Sequence, residues 1–174
     1  MNLKGGPTQD EVMAVSLFRL NLKPGDIMAD IGCGTGKVSI EASRVACKVI
    51  AVDRREEAVA CARAGINEAG AENVEVIKGE ATEVLSSIDH LDCAFVGGSG
   101  DLETVLRLLS EKVSGMIVVN AVLLETLNTA VIKMKELGIF QEVIHIQISR
   151  SYPLAGGIML KPVNPVYIII GRCS

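Results

Sequence analysis

Asp30, Gly32, Gly34 and Gly36 recur at every second position in the stretch Asp30-Ile31-Gly32-Cys33-Gly34-Thr35-Gly36. This is the pattern of a nucleotide-binding turn. Glycines permit positive φ and let the main chain approach a ligand that a Cβ would exclude. Amides at the start of the helix that follows lack intrahelical partners and are expected to face that ligand. Asp30 stands two residues ahead of the first glycine. Cys33 and Thr35 lie inside the turn, with Cys33 expected to act as a spacer. Taken alone, the seven residues also suit a plain tight turn between a strand and a helix.

The glycine spacing narrows the ligand. A dinucleotide fingerprint, G-x-G-x-x-G, would need a third glycine where Lys37 stands. The run Lys48-Val49-Ile50-Ala51-Val52-Asp53 then ends in an acid. An acid at the tip of a second parallel strand can accept both ribose hydroxyls of an adenosine. Arg54, Arg55, Glu56 and Glu57 read as the solvated start of the next helix.

These residues need a scaffold, and the hydrophobic pattern supplies one. Thr8-x-x-Glu11 is a capping box that predicts a helix to about Leu20. Strands are expected at Ile27–Ile31, Val49–Val52, Val74–Ile77, Leu91–Val96 and Met116–Val119. Helices are expected over Lys37–Ala46, Glu56–Ala69, Thr82–Ser87, Leu102–Lys112 and Leu123–Leu137. Such alternation means a parallel sheet covered on both faces. Phe140–Arg150 and Val166–Gly171 then follow as two strands with no helix between them, so they must pair antiparallel. The fold class is α/β: a Rossmann-like, mostly parallel seven-stranded sheet with an antiparallel C-terminal strand, in a single domain over residues 1–174.

Composition sets the outer bounds. The 174 residues are 49% hydrophobic and 22% charged, which suits a folded chain. No apolar run approaches the roughly 18–20 residues of a membrane span. Met1 to Pro7 lacks the apolar core of a signal peptide, so the cytoplasm is the expected location. The five cysteines form no C-x-x-C pair and suggest neither zinc nor a disulfide framework. No protein-bound metal is expected. A net charge of −4 and the absence of Trp disfavour a nucleic-acid partner.

The G-x-G-x-G turn with Asp30 ahead of it resembles the first motif of class I S-adenosylmethionine-dependent methyltransferases. A narrower likeness runs through Gly6-Pro7-Thr8-Gln9-Asp10-Glu11-Val12, Leu22-Lys23-Pro24-Gly25-Asp26, Val96-Gly97-Gly98-Ser99-Gly100, Val118 to Thr126 and Asn164-Pro165-Val166. These motifs resemble the decarboxylating cobalt-precorrin-6B methyltransferase family of cobalamin biosynthesis, whose members methylate carbon 15 of a corrin precursor and decarboxylate the acetate on carbon 12. The loop Ser151 to Gly157 is less basic than that family's. The resemblance implies S-adenosylmethionine as methyl donor and cofactor contacts at Thr8, the Gly32–Gly36 turn, Asp53, Glu80 and Ala81. Glu80 would meet the adenine amino group and the Ala81 amide a ring nitrogen. The resemblance also implies a homotetramer.

The substrate so implied is a polycarboxylate tetrapyrrole that supplies much of its own nucleophile. Catalytic side chains therefore stay unassigned, and the protein's task is positioning and water exclusion. Arg150 and Lys161 are candidates for its carboxylates, with Lys37 behind them; Gly98 and Asn120 are further substrate-contact candidates. A methyltransferase of another small molecule, of RNA or of a protein carboxyl group is the alternative. Asn164-Pro165-Val166-Tyr167 looks like an adenine amino-methyltransferase signature, but that signature belongs after strand four. His90 and His145 are read as surface or subunit-contact residues. Ile144, Ile146 and Ile148 put an apolar row on one strand face, and Gly156 to Leu160 is an apolar insert. Together they point to self-association through Phe140–Gly171, with a lid over the site as the alternative for the insert.

Overall fold

Apolar strands alternating with one-sided helices assemble into an open twisted sheet. The structure is a computed structural model that describes residues 8–98 and 100–173. The Gly6-Pro7 and Ser99 portions of the motifs above lie outside the described residues. α1 (Asp10–Leu20) leads into β1 (Ile27–Ile31), α2 (Lys37–Ala42), β2 (Lys48–Asp53) and α3 (Glu56–Ala69). The next elements are β3 (Val74–Lys78), α4 (Ala81–Ser86), β4 (Cys93–Val96), α5 (Leu102–Lys112), β5 (Met116–Ala121) and α6 (Leu124–Glu136). Four strands end the chain: β6 (Phe140–Ile146), β7 (Ser149–Leu154), β8 (Gly157–Pro162) and β9 (Val166–Arg172).

The main sheet has seven strands in the order β3-β2-β1-β4-β5-β9-β6. β1 to β5 are parallel to their neighbours, and β9 runs antiparallel to both β5 and β6. The expected layout is therefore observed. β1, β2 and β4 are almost wholly buried, as strands covered on both faces must be.

Side chains alternate between two apolar layers. Ala29, Ile31, Val119 and Ile169 face the layer that contains Val105, Leu106 and Leu109 of α5. Met28, Phe95, Val118 and Ile168 face the layer of α1 and α2, with Val12 and Val38. Asp30 and Asn120 share the parity of Met28 and Val118, so they belong to the α1–α2 side.

Three expectations need correction. The Thr8 capping box does not form: Gln9 is the N-cap, without a side-chain cap bond, and the Thr8 carbonyl accepts a hydrogen bond from Lys37 Nζ at 3.0 Å. α2 stops at Ala42 rather than Ala46, where Ser43 folds its hydroxyl back onto the Ile40 carbonyl at 2.7 Å. Phe140–Arg150 is not one strand. It breaks after Ile146, and β7 pairs with β8 in a separate two-stranded hairpin. The apolar insert is thus the second arm of that hairpin. Ile144, Ile146 and Ile148 do share one face, and that face packs onto the α1-side core, so the exposed apolar patch is left to the hairpin. Among the described residues no helix is long and apolar enough to cross a membrane.

Candidate active site

The strand order reverses between β1 and β4, and open α/β sheets place their ligand crevice at such a point. A cleft of about 820 Å³ opens there, at the C-terminal ends of β1, β2, β4 and β5. Thr8, Asp30, Gly32, Cys33, Gly34, Thr35, Asp53, Glu80, Ala81, Gly98 and Asn120 all line it.

The glycine turn is built as its spacing implies. Gly32, Gly34 and Gly36 have φ of 73°, 56° and 76°. The Gly32 and Cys33 amides donate to the Val52 carbonyl at 2.8 and 3.0 Å, which ties the turn to β2. A Cβ on Gly32 would lie 2.2 Å from the Gly98 carbonyl oxygen, and one on Gly36 3.1 Å from Ala62 Cβ. The glycines thus serve close backbone approach as well as positive φ. Burial pushes the Cys33 thiol far above its ordinary pKa, with Asp30 and Asp53 adding to the shift. It stays a neutral thiol at the wall of the cleft.

Asp30 is fully buried beneath this turn. Its Oδ2 accepts a hydrogen bond from Ser39 Oγ, and the Ser39 amide is also directed to the carboxylate. One first-turn amide of α2 is therefore spent on Asp30 and not offered to a ligand. Oδ1 is buried and has no partner among the described residues. Burial raises the Asp30 pKa to about 6, against the opposing Ser39 bonds and with help from Asp53. A buried acceptor without a donor, at the wall of a cleft, is chemically suited to a ligand ammonium.

Asp53 is also nearly buried, at the tip of β2. The Gly34 amide donates to Oδ2 at 3.0 Å. Arg55 donates its own amide to Oδ1 at 3.0 Å, its Nε to Oδ1 at 3.1 Å and its Nη2 to Oδ2 at 3.0 Å. Burial alone would raise the Asp53 pKa, yet these bonds together hold it below the usual carboxylate range. Arg55 is therefore no solvated helix start; it occupies the carboxylate that a ribose diol was expected to use. Arg54 reaches Glu80 at 3.6 Å instead. Glu80 is the N-cap residue of α4 and Ala81 its first residue.

Other candidates fall on and off the cleft. Lys37 lines it, with Nζ held by Thr8 O and Asp10. Arg150 and Lys161 are register partners in the β7–β8 hairpin and are not among the cleft-lining residues. Arg150 pairs there with Glu11 at 2.7 Å. His145 stacks on Tyr167, with ring centroids 4.6 Å apart.

Sequence reasoning missed Gln9 and set Asn164 aside as part of a false signature. Both line the cleft, and Gln9 Oε1 is a second buried acceptor without a partner among the described residues. Gln9 stands beside Thr8, so adjacency to a candidate was the available signal. Among the described residues no three His, Cys, Asp or Glu groups gather as metal ligands do.

Comparison with known proteins agrees with this geometry. A family described as the precorrin methyltransferase domain matches residues 3–171. The chain belongs to the precorrin methyltransferase family. Its relatives in that family include a probable cobalt-precorrin-6B C(15)-methyltransferase (decarboxylating) of Methanosarcina acetivorans, 50% identical over 99% of this chain and 96% of that protein. The corresponding Sulfolobus acidocaldarius protein is 38% identical over 95% of this chain and 89% of its own length. The crystal structure of a precorrin 8w decarboxylase from Methanobacterium thermoautotrophicum superposes with a TM-score of 0.94 at 33% identity, covering 98% of this chain and 95% of that one. A precorrin-6y C5,15-methyltransferase from Geobacter metallireducens gives 0.92 at 33% identity, over 99% and 94%.

Proposed function

We propose that this chain, as one catalytic domain, transfers the methyl group of S-adenosylmethionine to carbon 15 of cobalt-precorrin-6B and decarboxylates the carbon-12 acetate, in cobalamin biosynthesis. The observation that carries this is the glycine turn opening, beside the unpartnered Asp30 Oδ1, into a cleft of about 820 Å³. The names of relatives at up to 50% identity over nearly the full length support the substrate.

The residues present fit the cofactor. Asp30 would receive its ammonium, Asp53 its ribose hydroxyls, Glu80 and the Ala81 amide its adenine edge, with Thr8 at the cleft rim. When bound, S-adenosylmethionine supplies an electrophilic methyl group. The tetrapyrrole supplies the electron pair, because carbon dioxide lost beside a conjugated ring leaves its bonding electrons to the macrocycle. The chain's own residues bind, orient and exclude water, so no side-chain nucleophile is required. Gly98 and Asn120 border the substrate end of the cleft. Arg150 and Lys161 would meet substrate carboxylates only from the hairpin.

We read the β7–β8 hairpin as the contact with further copies of the chain, up to a homotetramer. Ile158 and Leu160 on it are 83% and 63% exposed, and Leu154 and Met159 are also uncovered. The five cysteines are free, which suits a reducing compartment such as the cytoplasm. Neither a protein-bound metal nor a nucleic acid is part of this function.

Incubation with the tetrapyrrole and methyl-labelled cofactor tests the proposal. Label in the macrocycle with release of carbon dioxide is expected. Methylation without carbon dioxide would refute the coupled reaction, and transfer only to RNA or protein would refute the substrate class.

A further inference from the structure

Ser16 is fully buried on α1, on the side that packs against β5. A hydroxyl at that place adds nothing to an apolar contact. Its Oγ lies 2.8 Å from the Val12 carbonyl and 3.1 Å from Asn120 Oδ1. A serine hydroxyl carries a single proton, so it can donate to only one of the two. The helix offers Val12 O its own ladder bond, whereas no other hydrogen bond reaches Asn120 Oδ1 among the described residues.

Asn120 sits near the end of β5 and lines the cleft. Its Nδ2 is buried and without a partner among the described residues. A buried N–H₂ without an acceptor is unfavourable, and it is retained at the one wall where a ligand would meet it. β4 separates β5 from the glycine turn on β1, so Asn120 stands roughly 10 Å, two strand spacings, from the cofactor residues. Its neighbour in the cleft is therefore the substrate and not the nucleoside.

We propose that Ser16 is a positioning residue: it holds Asn120 Oδ1 against α1 and so directs Nδ2 into the cleft as a donor to a carboxylate oxygen of the tetrapyrrole. The assignment rests on the corrin-precursor reading of this cleft. It adds the direction of the hydrogen bond, the ligand group and the residue that sets the amide.

A double-mutant cycle tests it. KM and kcat for the corrin precursor are measured for the wild type, Ser16→Ala, Asn120→Ala and the double variant, with calorimetric affinity for S-adenosylhomocysteine as the control. Asn120→Ala should raise KM about tenfold and Ser16→Ala about threefold, with cofactor affinity unchanged. The double variant should be no worse than Asn120→Ala, since Ser16 acts only through the amide. Ser16→Cys, which keeps the volume and a weak donor, should fall between wild type and Ser16→Ala. Asn120→Asp, with acceptors only, should raise KM at least as far as Asn120→Ala.

An equal Ser16→Ala effect in the Asn120→Ala background would overturn the proposal and leave Ser16 a packing residue. Wild-type KM in Asn120→Asp would overturn the donor assignment. Cofactor binding without any turnover by the wild type would remove the substrate reading and this assignment with it. The parent chain alone distinguishes that failure from the others.

Discussion

Arg55 grips Asp53 with three hydrogen bonds, two from its guanidinium and one from its own amide. With the Gly34 amide added, all four lone-pair positions of that carboxylate are used. A ribose diol can reach Asp53 only by displacing the guanidinium. Arg55→Ala is therefore expected to bind S-adenosylhomocysteine more tightly than wild type, by about three- to tenfold. Weaker calorimetric binding would mean that the guanidinium itself contacts the cofactor.

Removing the acid has the opposite sign. Asp53→Ala should lose about 1–3 kcal/mol of cofactor affinity, the worth of hydrogen bonds from both hydroxyls to a charged acceptor. Unchanged affinity would place the ribose elsewhere. Unlike Arg55→Ala, this variant should weaken binding at every salt concentration.

Gly32 tolerates no side chain. Its φ is 73°, and a Cβ would be 2.2 Å from a backbone oxygen of Gly98, which cannot swing away as a side chain could. Gly32→Ala should lower thermal stability by about 1–3 kcal/mol and abolish cofactor binding. A variant with wild-type melting and affinity would contradict the close approach of the two loops.

Asp30 makes cofactor affinity depend on pH. Its pKa is about 6 in the folded chain against an ordinary 3.8. Between those values the folded state holds a proton that the unfolded state has lost. Stability of the ligand-free protein therefore falls as pH rises from about 4 to about 6, by on the order of 3 kcal/mol, and is flat above. An ammonium beside Oδ1 favours the carboxylate, so affinity should rise over the same window while a proton is released. Calorimetry in two buffers of different ionisation heat reads that proton, and Asp30→Asn should erase the rising limb.

The hairpin carries the assembly prediction. Ile158→Asp with Leu160→Asp should convert an oligomer to a monomer by light scattering, because charges cannot be buried there without partners. Wild-type protein of monomer mass would refute the assembly. An oligomer unaffected by both substitutions would move the interface elsewhere.

The parts of the site that were legible in the sequence are local ones. The Asp30–Gly36 turn and Asp53 fall at strand ends, where spacing along the chain fixes what faces the crevice. Arg55, Ser16 and Gln9 were not legible as site residues, because their roles depend on tertiary partners. Arg55 looks like any helix-start charge until Asp53 is seen beneath it, and Ser16 matters only through Asn120, 104 positions away. The break between β6 and β7 was hidden for a related reason. Ile144, Ile146 and Ile148 keep strand alternation through it, and all three still pack on the core. Periodicity reports burial, and burial continued while the pairing partner changed.

β9 lies between β5 and β6, and β6 has no other neighbour in the sheet. β9, late in the sequence, is thus the keystone of the sheet's far half. On the ribosome, β1 to β5 can pair as they emerge, but β5 must wait with an open edge and β6 with no neighbour until Val166–Arg172 is free. A polypeptide that stopped before Val166 would leave β5 with one open edge and β6 with no neighbour, both free to pair with another chain.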